Sequence, residues 1–176
     1  MAASVSPAAF SLISFDAGEI ASVAEAVAAT VGLPADLPIE IMVDESSILT
    51  RGTVSTGSDP AVRIAVAGGA FEDRARPRRF SEETCRIELT RLLQRVADRR
   101  TPAFAGAPAE GELSLAEEAA WDVTALGRAS RRGLEVFVPR LRYDFQLRFG
   151  FGADTDARFD RLWSLEDPTW ADVASG

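Results

Sequence analysis

The sequence predicts an α+β fold: a small three-strand sheet with flanking helices, covered by a helical C-terminal region. Three observations predict it. Apolar and polar residues alternate over 39–43 and 62–66, the period of a half-buried strand. Apolar residues recur at helical spacing over 16–31, 81–100 and 114–133. At 176 residues and 47% hydrophobic content, the chain is long enough for one ordinary core and far from the composition of a disordered segment. A single domain over 1–176 follows, with a helix-sheet-helix core at 16–100, a linker loop at 101–111 and a helical region at 112–176.

The first helix opens at Asp16, carries Ile20, Val23, Val27 and Val31 on a narrow alanine-rich apolar side, and stops at Gly32 and Pro34. Ile39, Ile41 and Val43 then alternate with Glu40 and Met42 as a strand. A second strand is predicted over 48–56. Gly57-Ser58-Asp59-Pro60 is turn chemistry leading into a third strand, where Val62, Ile64 and Val66 alternate with Arg63 and Ala65. Ser81 is placed to cap the next helix, with Glu82 and Glu83 in its first turn, Arg95, Arg99 and Arg100 near its end, and a buried stripe of Cys85, Leu89, Leu92, Leu93 and Val96. Pro102 ends it, and Ser114-Leu115-Ala116-Glu117 reads as the capping box of a helix running to Gly133.

Beyond Gly133 the pattern is double. Leu141, Tyr143, Phe145, Leu147, Phe149 and Phe151 alternate with polar residues as a strand would, while Val138, Leu141, Phe145 and Phe149 satisfy helical spacing. Periodicity leaves both open, and Pro139 near a start with Gly150 as a stop tilts the reading to helix. Two short helices finish the chain, one capped by Asp154 or Thr155 and carrying Phe159, Leu162 and Trp163, the other opening at Asp167-Pro168 and carrying Trp170 and Val173.

The chemistry is bounded by what is missing. The chain has no histidine and no lysine, one cysteine (Cys85), and 19 basic residues that are all arginine. The missing side chains supply most nucleophiles, near-neutral acid-base groups and transition-metal ligands, so most enzyme mechanisms are excluded and no cofactor is expected. A net charge of -8 argues against a nucleic-acid partner, which needs a basic footprint. No apolar run reaches the ~18 residues of a membrane span, so no membrane partner is expected. The first residues carry no positive region of the kind a secretory signal needs, and one cysteine precludes an intrachain disulfide, which suits a reducing cytoplasm.

Charge is segregated in blocks. Residues 1–50 hold seven carboxylates and no arginine, 74–100 hold nine arginines against Glu82, Glu83, Glu88 and Asp98, 101–127 hold five carboxylates and no arginine, and 128–148 carry a net +4. Such alternation is expected where acidic and basic elements of one fold face each other.

Each candidate group has a plain structural reading beside its functional one. Cys85 lies near a helix N-terminus, which activates a thiol, but also on the apolar stripe, which makes it a core residue. Arg74, Arg76, Arg78 and Arg79 follow Gly68-Gly69 and have the chemistry to bind a phosphate or carboxylate, although Pro77 and about ten residues separate the glycines from the helix that a phosphate loop would enter directly. Asp154, Asp156 and Asp160 are the nearest approach to a calcium or magnesium cluster, but Phe159 stands where a calcium loop needs glycine, and helix capping accounts for Asp154 and Asp156. Glu118 and Asp122 share a helix face and read as solvated. Ser46, Ser47, Thr50, Thr53, Ser55, Thr56 and Ser58 crowd one strand and turn, as the polar face of an edge strand would. Trp121, Trp163 and Trp170 are spaced as core anchors.

The order of helix, small sheet, and then the helix Phe80-Ser81-Glu82-Glu83-Thr84-Cys85-Arg86-Ile87-Glu88-Leu89 resembles the layout of zincin-like metallopeptidase domains. The family's helix after the sheet bears a His-Glu-x-x-His zinc motif. With no histidine in the chain, no zinc ligand or catalytic glutamate carries over to Glu82, Glu83 or Glu88. The whole chain also resembles small conserved hypothetical proteins of GC-rich bacteria with no assigned activity, in keeping with exclusive arginine use beside abundant alanine.

The expectation is a soluble, cytoplasmic, non-catalytic binding protein. Its contact surface is the arginine-rich stretch 74–100, led by Arg74, Arg76, Arg78 and Arg79, and its partner an acidic protein or a small anion. The competing expectation is a carboxylate- or divalent-metal-dependent hydrolase using Asp154, Asp156 and Asp160.

Overall fold

The computed structural model describes residues 3–56 and 61–175, so the turn expected at 57–60 lies outside the described residues. The protein has the expected α+β composition and falls into two compact units, Met1–Ala97 and Asp98–Gly176. In chain order the first unit contains β1 (Ala3–Ser6), α1 (Ala17–Thr30), β2 (Ile39–Asp44), β3 (Gly52–Thr56), β4 (Val62–Ala67), a short 3-10 turn at Gly68–Ala70, β5 (Glu72–Asp73), β6 (Arg76–Phe80) and most of α2 (Glu82–Arg99).

The three expected strands are present, and β1 adds a fourth at one edge of the sheet. The order is β1-β2-β4-β3, with β1, β2 and β4 parallel and β3 antiparallel to β4. The Ala-Ser-Val-Ser sequence of β1 is too poor in large apolar residues to announce a strand. It is held by Ala3 pairing with Ile39 and by its N–H donating to Glu25 of α1 at 3.1 Å. β3 begins at Gly52 rather than Ile48, because 45–51 is taken up by a loop anchored to the 3-10 turn.

Strict alternation along β2 and β4 makes the sheet two-faced. Ile39, Ile41, Val43, Val54, Val62, Ile64 and Val66 are buried against Ile20, Val23, Ala24 and Val27 of α1 and Cys85, Leu89, Leu92, Leu93 and Val96 of α2. The opposite face presents Glu40, Met42, Asp44, Arg63, Thr53 and Ser55 to solvent. Each large aliphatic side chain buried in this way contributes roughly 1.5–3 kcal/mol. Asp16 caps α1 by accepting the Glu19 N–H at 2.9 Å, and Gly32, at φ 79°, supplies the left-handed residue that ends it. Ser81 caps α2 by accepting the Thr84 N–H at 3.2 Å.

The second unit holds the last two residues of α2, 3-10 turns at Pro102–Phe104 and Glu110–Glu112, α3 (Leu115–Arg131), α4 (Val138–Phe149), α5 (Ala153–Ser164) and α6 (Trp170–Ala174). The 138–149 segment is helical, with Phe145 on its buried side and Gly150 at φ 90° ending it. α3 is the central element, contacting α4, α5 and α6. Ser114 and Glu117 form the expected capping box. Two helix starts differ from the reading of the sequence. α5 begins at Ala153 behind Gly152, so Asp154 lies in its first turn and does not cap it, and α6 is capped by Thr169, whose partner in a capping box is Asp172. The core is Phe104, Trp121, Val123, Phe145, Phe159, Leu162 and Val173, with Phe104 stacked on Trp121 at 5.0 Å.

A buried polar network ties α2 to α3 within this unit. Asp98 receives two bonds from the Arg128 guanidinium, at 2.8 and 2.7 Å, and one from Trp121 Nε1 at 2.7 Å. α3 and α5 approach so closely at Gly127 that any β-carbon there would overlap the carbonyl oxygen of Trp163.

Candidate functional site

The arginine stretch is a hairpin rather than a loop. β5 and β6 pair antiparallel, with Glu72 opposite Phe80 and Asp73 opposite Arg76. The turn is built by Asp73, whose carboxylate accepts the Ala75 N–H at 2.8 Å and the Arg76 Nε at 2.9 Å. Those bonds hold the Asp73 carboxyl below its ordinary range, the Ala75 amide being the larger cause.

The four predicted arginines separate into different roles. Arg76 is the ion-pair partner of Asp73. Arg78 is a strap: it sits at φ 62°, its carbonyl accepts the Ser14 N–H at 2.9 Å, and its Nη1 donates to the Leu12 carbonyl at 2.9 Å. Arg74, at the hairpin turn, and Arg79 are exposed and form no ion pair among the described residues. Arg79 and Arg76 line an open cleft of about 530 Å³ together with Ser14, Glu19, Val23, Phe80 and Glu82. Phe80, the aromatic residue of the lining, packs edge-on against Phe15 at 5.6 Å, which in turn meets Phe10 at 5.7 Å.

The cleft carries both signs of charge. Glu82 is paired with Arg86 one turn along α2, and Glu19 comes from α1, in the acidic N-terminal block. The rest of that block has local roles. Glu40 pairs with Arg63 across the exposed sheet face at 3.0 Å. Asp44 accepts the Ser46 hydroxyl and N–H, and Glu45 accepts the N–H groups of Ser11 and Leu12, both at 2.7 Å. These bonds hold both carboxyls below their ordinary range.

Asp156 and Asp160 do come together, but around a cation already in the chain. Arg142 bonds Asp160 and lies 3.4 Å from Asp156, which also accepts Gln146 Nε2 at 2.8 Å, and the guanidinium stands 4.2 Å over the Phe159 ring. The Asp160 bond raises the Arg142 pKa, so this guanidinium stays charged. Asp154 is exposed at the start of α5. Among the described residues, no three acidic, cysteine or histidine side chains gather to hold a metal ion. Glu118 and Asp122, read as solvated, are half-buried on α3 and neither is free. Cys85 is wholly buried, and burial pushes its thiol pKa up, away from the reactive thiolate.

Ser14, Glu19 and Phe80 escaped the sequence reading because nothing local links residues 14–19 to 76–82; only the fold joins them. Ile48 and Leu49 were read as strand, although the polar run Asp44-Glu45-Ser46-Ser47 before them is itself a turn signal.

Among the described residues no helix is long and apolar enough to cross a membrane. The chain matches no family model, no curated protein and no solved structure.

Proposed function

We propose that this is a non-catalytic, cytoplasmic binding protein that receives an acidic protein partner or a small anion on the β5–β6 hairpin. One observation carries the reading: Arg79 stands exposed over a cleft with Val23 and Phe80 in its lining, and has no ion-pair partner among the described residues. A guanidinium left unpaired beside apolar surface is favourably placed to recognise a carboxylate or phosphate, because the bond is charge-assisted and partly shielded from water. Arg74, 5 residues before it, is exposed at the turn of the same hairpin. Arg78 and Arg76 support the geometry from their bonds to Leu12 and Asp73. The buried, unreactive Cys85 and the absence of histidine and lysine favour binding over covalent or acid-base chemistry.

Titration calorimetry with polyglutamate and with inorganic phosphate, at low and high salt, tests the proposal. Arg74→Gln combined with Arg79→Gln is expected to weaken binding and to reduce its salt dependence. Unchanged affinity and salt slope would place the binding surface elsewhere.

A further inference from the structure

Three exposed aliphatic side chains in the first unit have no role in its core: Leu12, Ile48 and Leu49, at 51%, 76% and 64% exposure. They stand on two segments fastened together. The Ser11 and Leu12 N–H groups and the Ser11 hydroxyl all bond the Glu45 carboxylate. The chain then turns at Asp44–Ser47, where the Ser47 N–H donates to the Asp44 carbonyl at 3.2 Å, and the Ser47 carbonyl accepts the Gly69 N–H at 3.1 Å. Gly69 packs directly under the Ile48 carbonyl, in space that a β-carbon would fill. Ile48 and Leu49 are therefore held on an anchored loop, which Glu45 fastens to the segment bearing Leu12.

Arginines lie on the segments bonded to this loop or following it in the chain. Arg78 bonds the Leu12 carbonyl from β6, Arg51 follows Leu49 by two residues with its carbonyl tied to the Ala67 N–H at 2.9 Å, and Arg74 and Arg79 belong to the same hairpin as Arg78. The neighbouring carboxylates Asp44, Glu45 and Asp73 are all turned onto backbone N–H groups. Arg51, Arg74 and Arg79 are exposed, in a protein whose net charge is -8.

We propose that the partner of this surface is an acidic amphipathic segment of another protein, seating apolar side chains on Leu12, Ile48 and Leu49 and carboxylates on Arg51, Arg74 and Arg79. The proposal rests on the arginine-hairpin reading and narrows it. A small anion makes no use of three exposed aliphatic side chains, whereas an apolar patch rimmed by charge is the mark of a protein contact. An extended anionic bilayer would meet the field of the whole acidic protein, whereas a single segment feels the arginines within a screening length of about 8–10 Å.

Fluorescence anisotropy with two labelled synthetic peptides of equal negative charge tests it. One has leucine and glutamate at helical spacing; the other has serine in place of every leucine. Phosphatidylserine vesicles are run in parallel. The leucine peptide is expected to bind at least about tenfold tighter than the serine peptide, the effect of burying one or more aliphatic side chains. Ile48→Ser with Leu49→Ser, two exposed positions whose replacement leaves the core untouched, is expected to erase that difference, and Arg74→Gln with Arg79→Gln to weaken both peptides. Equal affinity for the two peptides overturns the amphipathic partner and leaves the anion-binding reading standing. Failure of both peptides and of phosphate overturns both. Vesicle binding without preference for the leucine peptide assigns the surface to lipid and overturns the proposal.

Discussion

Replacing Asp98 with alanine removes the acceptor on which the second unit's polar interior depends. The Asp98 and Arg128 side chains are only 5% and 10% exposed, so they form a buried ion pair, with Trp121 Nε1 as a third donor. Three bonds of 2.7–2.8 Å are lost. The remaining Arg128 contact is Nε to the Thr124 carbonyl at 3.2 Å, which leaves most of a buried cation without a counterion. Breaking one side of such a pair costs about 3–5 kcal/mol. All three tryptophans, Trp121, Trp163 and Trp170, lie in this unit, so urea unfolding followed by tryptophan fluorescence reads it selectively. With a slope of roughly 2 kcal/mol/M the midpoint should fall by about 2 M. The paired replacement Asp98→Leu with Arg128→Met should recover part of the loss, because it removes both charges of the pair but takes the acceptor from the buried Trp121 N–H. A loss below about 1 kcal/mol for Asp98→Ala would refute the reasoning, since it would mean that water already screens the pair.

Gly127→Ala should destabilise the same unit by about 1–3 kcal/mol, because the new β-carbon overlaps the Trp163 carbonyl and α5 must move away from α3; urea midpoints by fluorescence measure it. Asp44, Glu45 and Asp73 have folded-state pKa values held below their ordinary 3.8–4.5. Their stabilisation is thus fully present above those values and is lost as pH falls through the folded pKa. Thermal midpoints should drop from about pH 5 downward, and Glu45→Gln should flatten that slope in calorimetric scans. Cys85, buried with its thiol pKa raised, should react with an aromatic disulfide reagent at pH 8 at least about 100-fold more slowly in the native protein than in urea; comparable rates would show an accessible thiol.

Helices with end signals were legible in the sequence. Asp16, Ser81 and Ser114 carry polar oxygens that accept the N–H groups of a first turn, and each caps where its position in the chain indicates. The buried stripe of α2 was equally legible, since burial at helical spacing is a one-helix property. β1 was not: its four residues are defined by β2 and Glu25, which lie 22 or more residues away. The candidate site shows the same division. Composition and position located Arg74, Arg76, Arg78 and Arg79, but their separation into an ion-pair partner, a strap and two unpaired groups depends on Asp73, Leu12 and Ser14. Asp156 and Asp160, with Asp154 the competing candidates for a cation cluster, are instead joined by Arg142 from the preceding helix, a partner no local pattern announces.

The burial of Cys85 has a consequence for how the molecule experiences its surroundings. With no histidine or lysine, and with the one thiol driven upward by burial, the side chains that ordinarily change charge near neutrality are absent or silenced. Between roughly pH 6 and pH 9 its side-chain charge pattern is essentially constant. Binding through the hairpin of a ligand that does not itself titrate in that span, such as polyglutamate, should accordingly ignore acidification or alkalinisation and respond to ionic strength, giving the protein a fixed electrostatic signature where most proteins have an adjustable one.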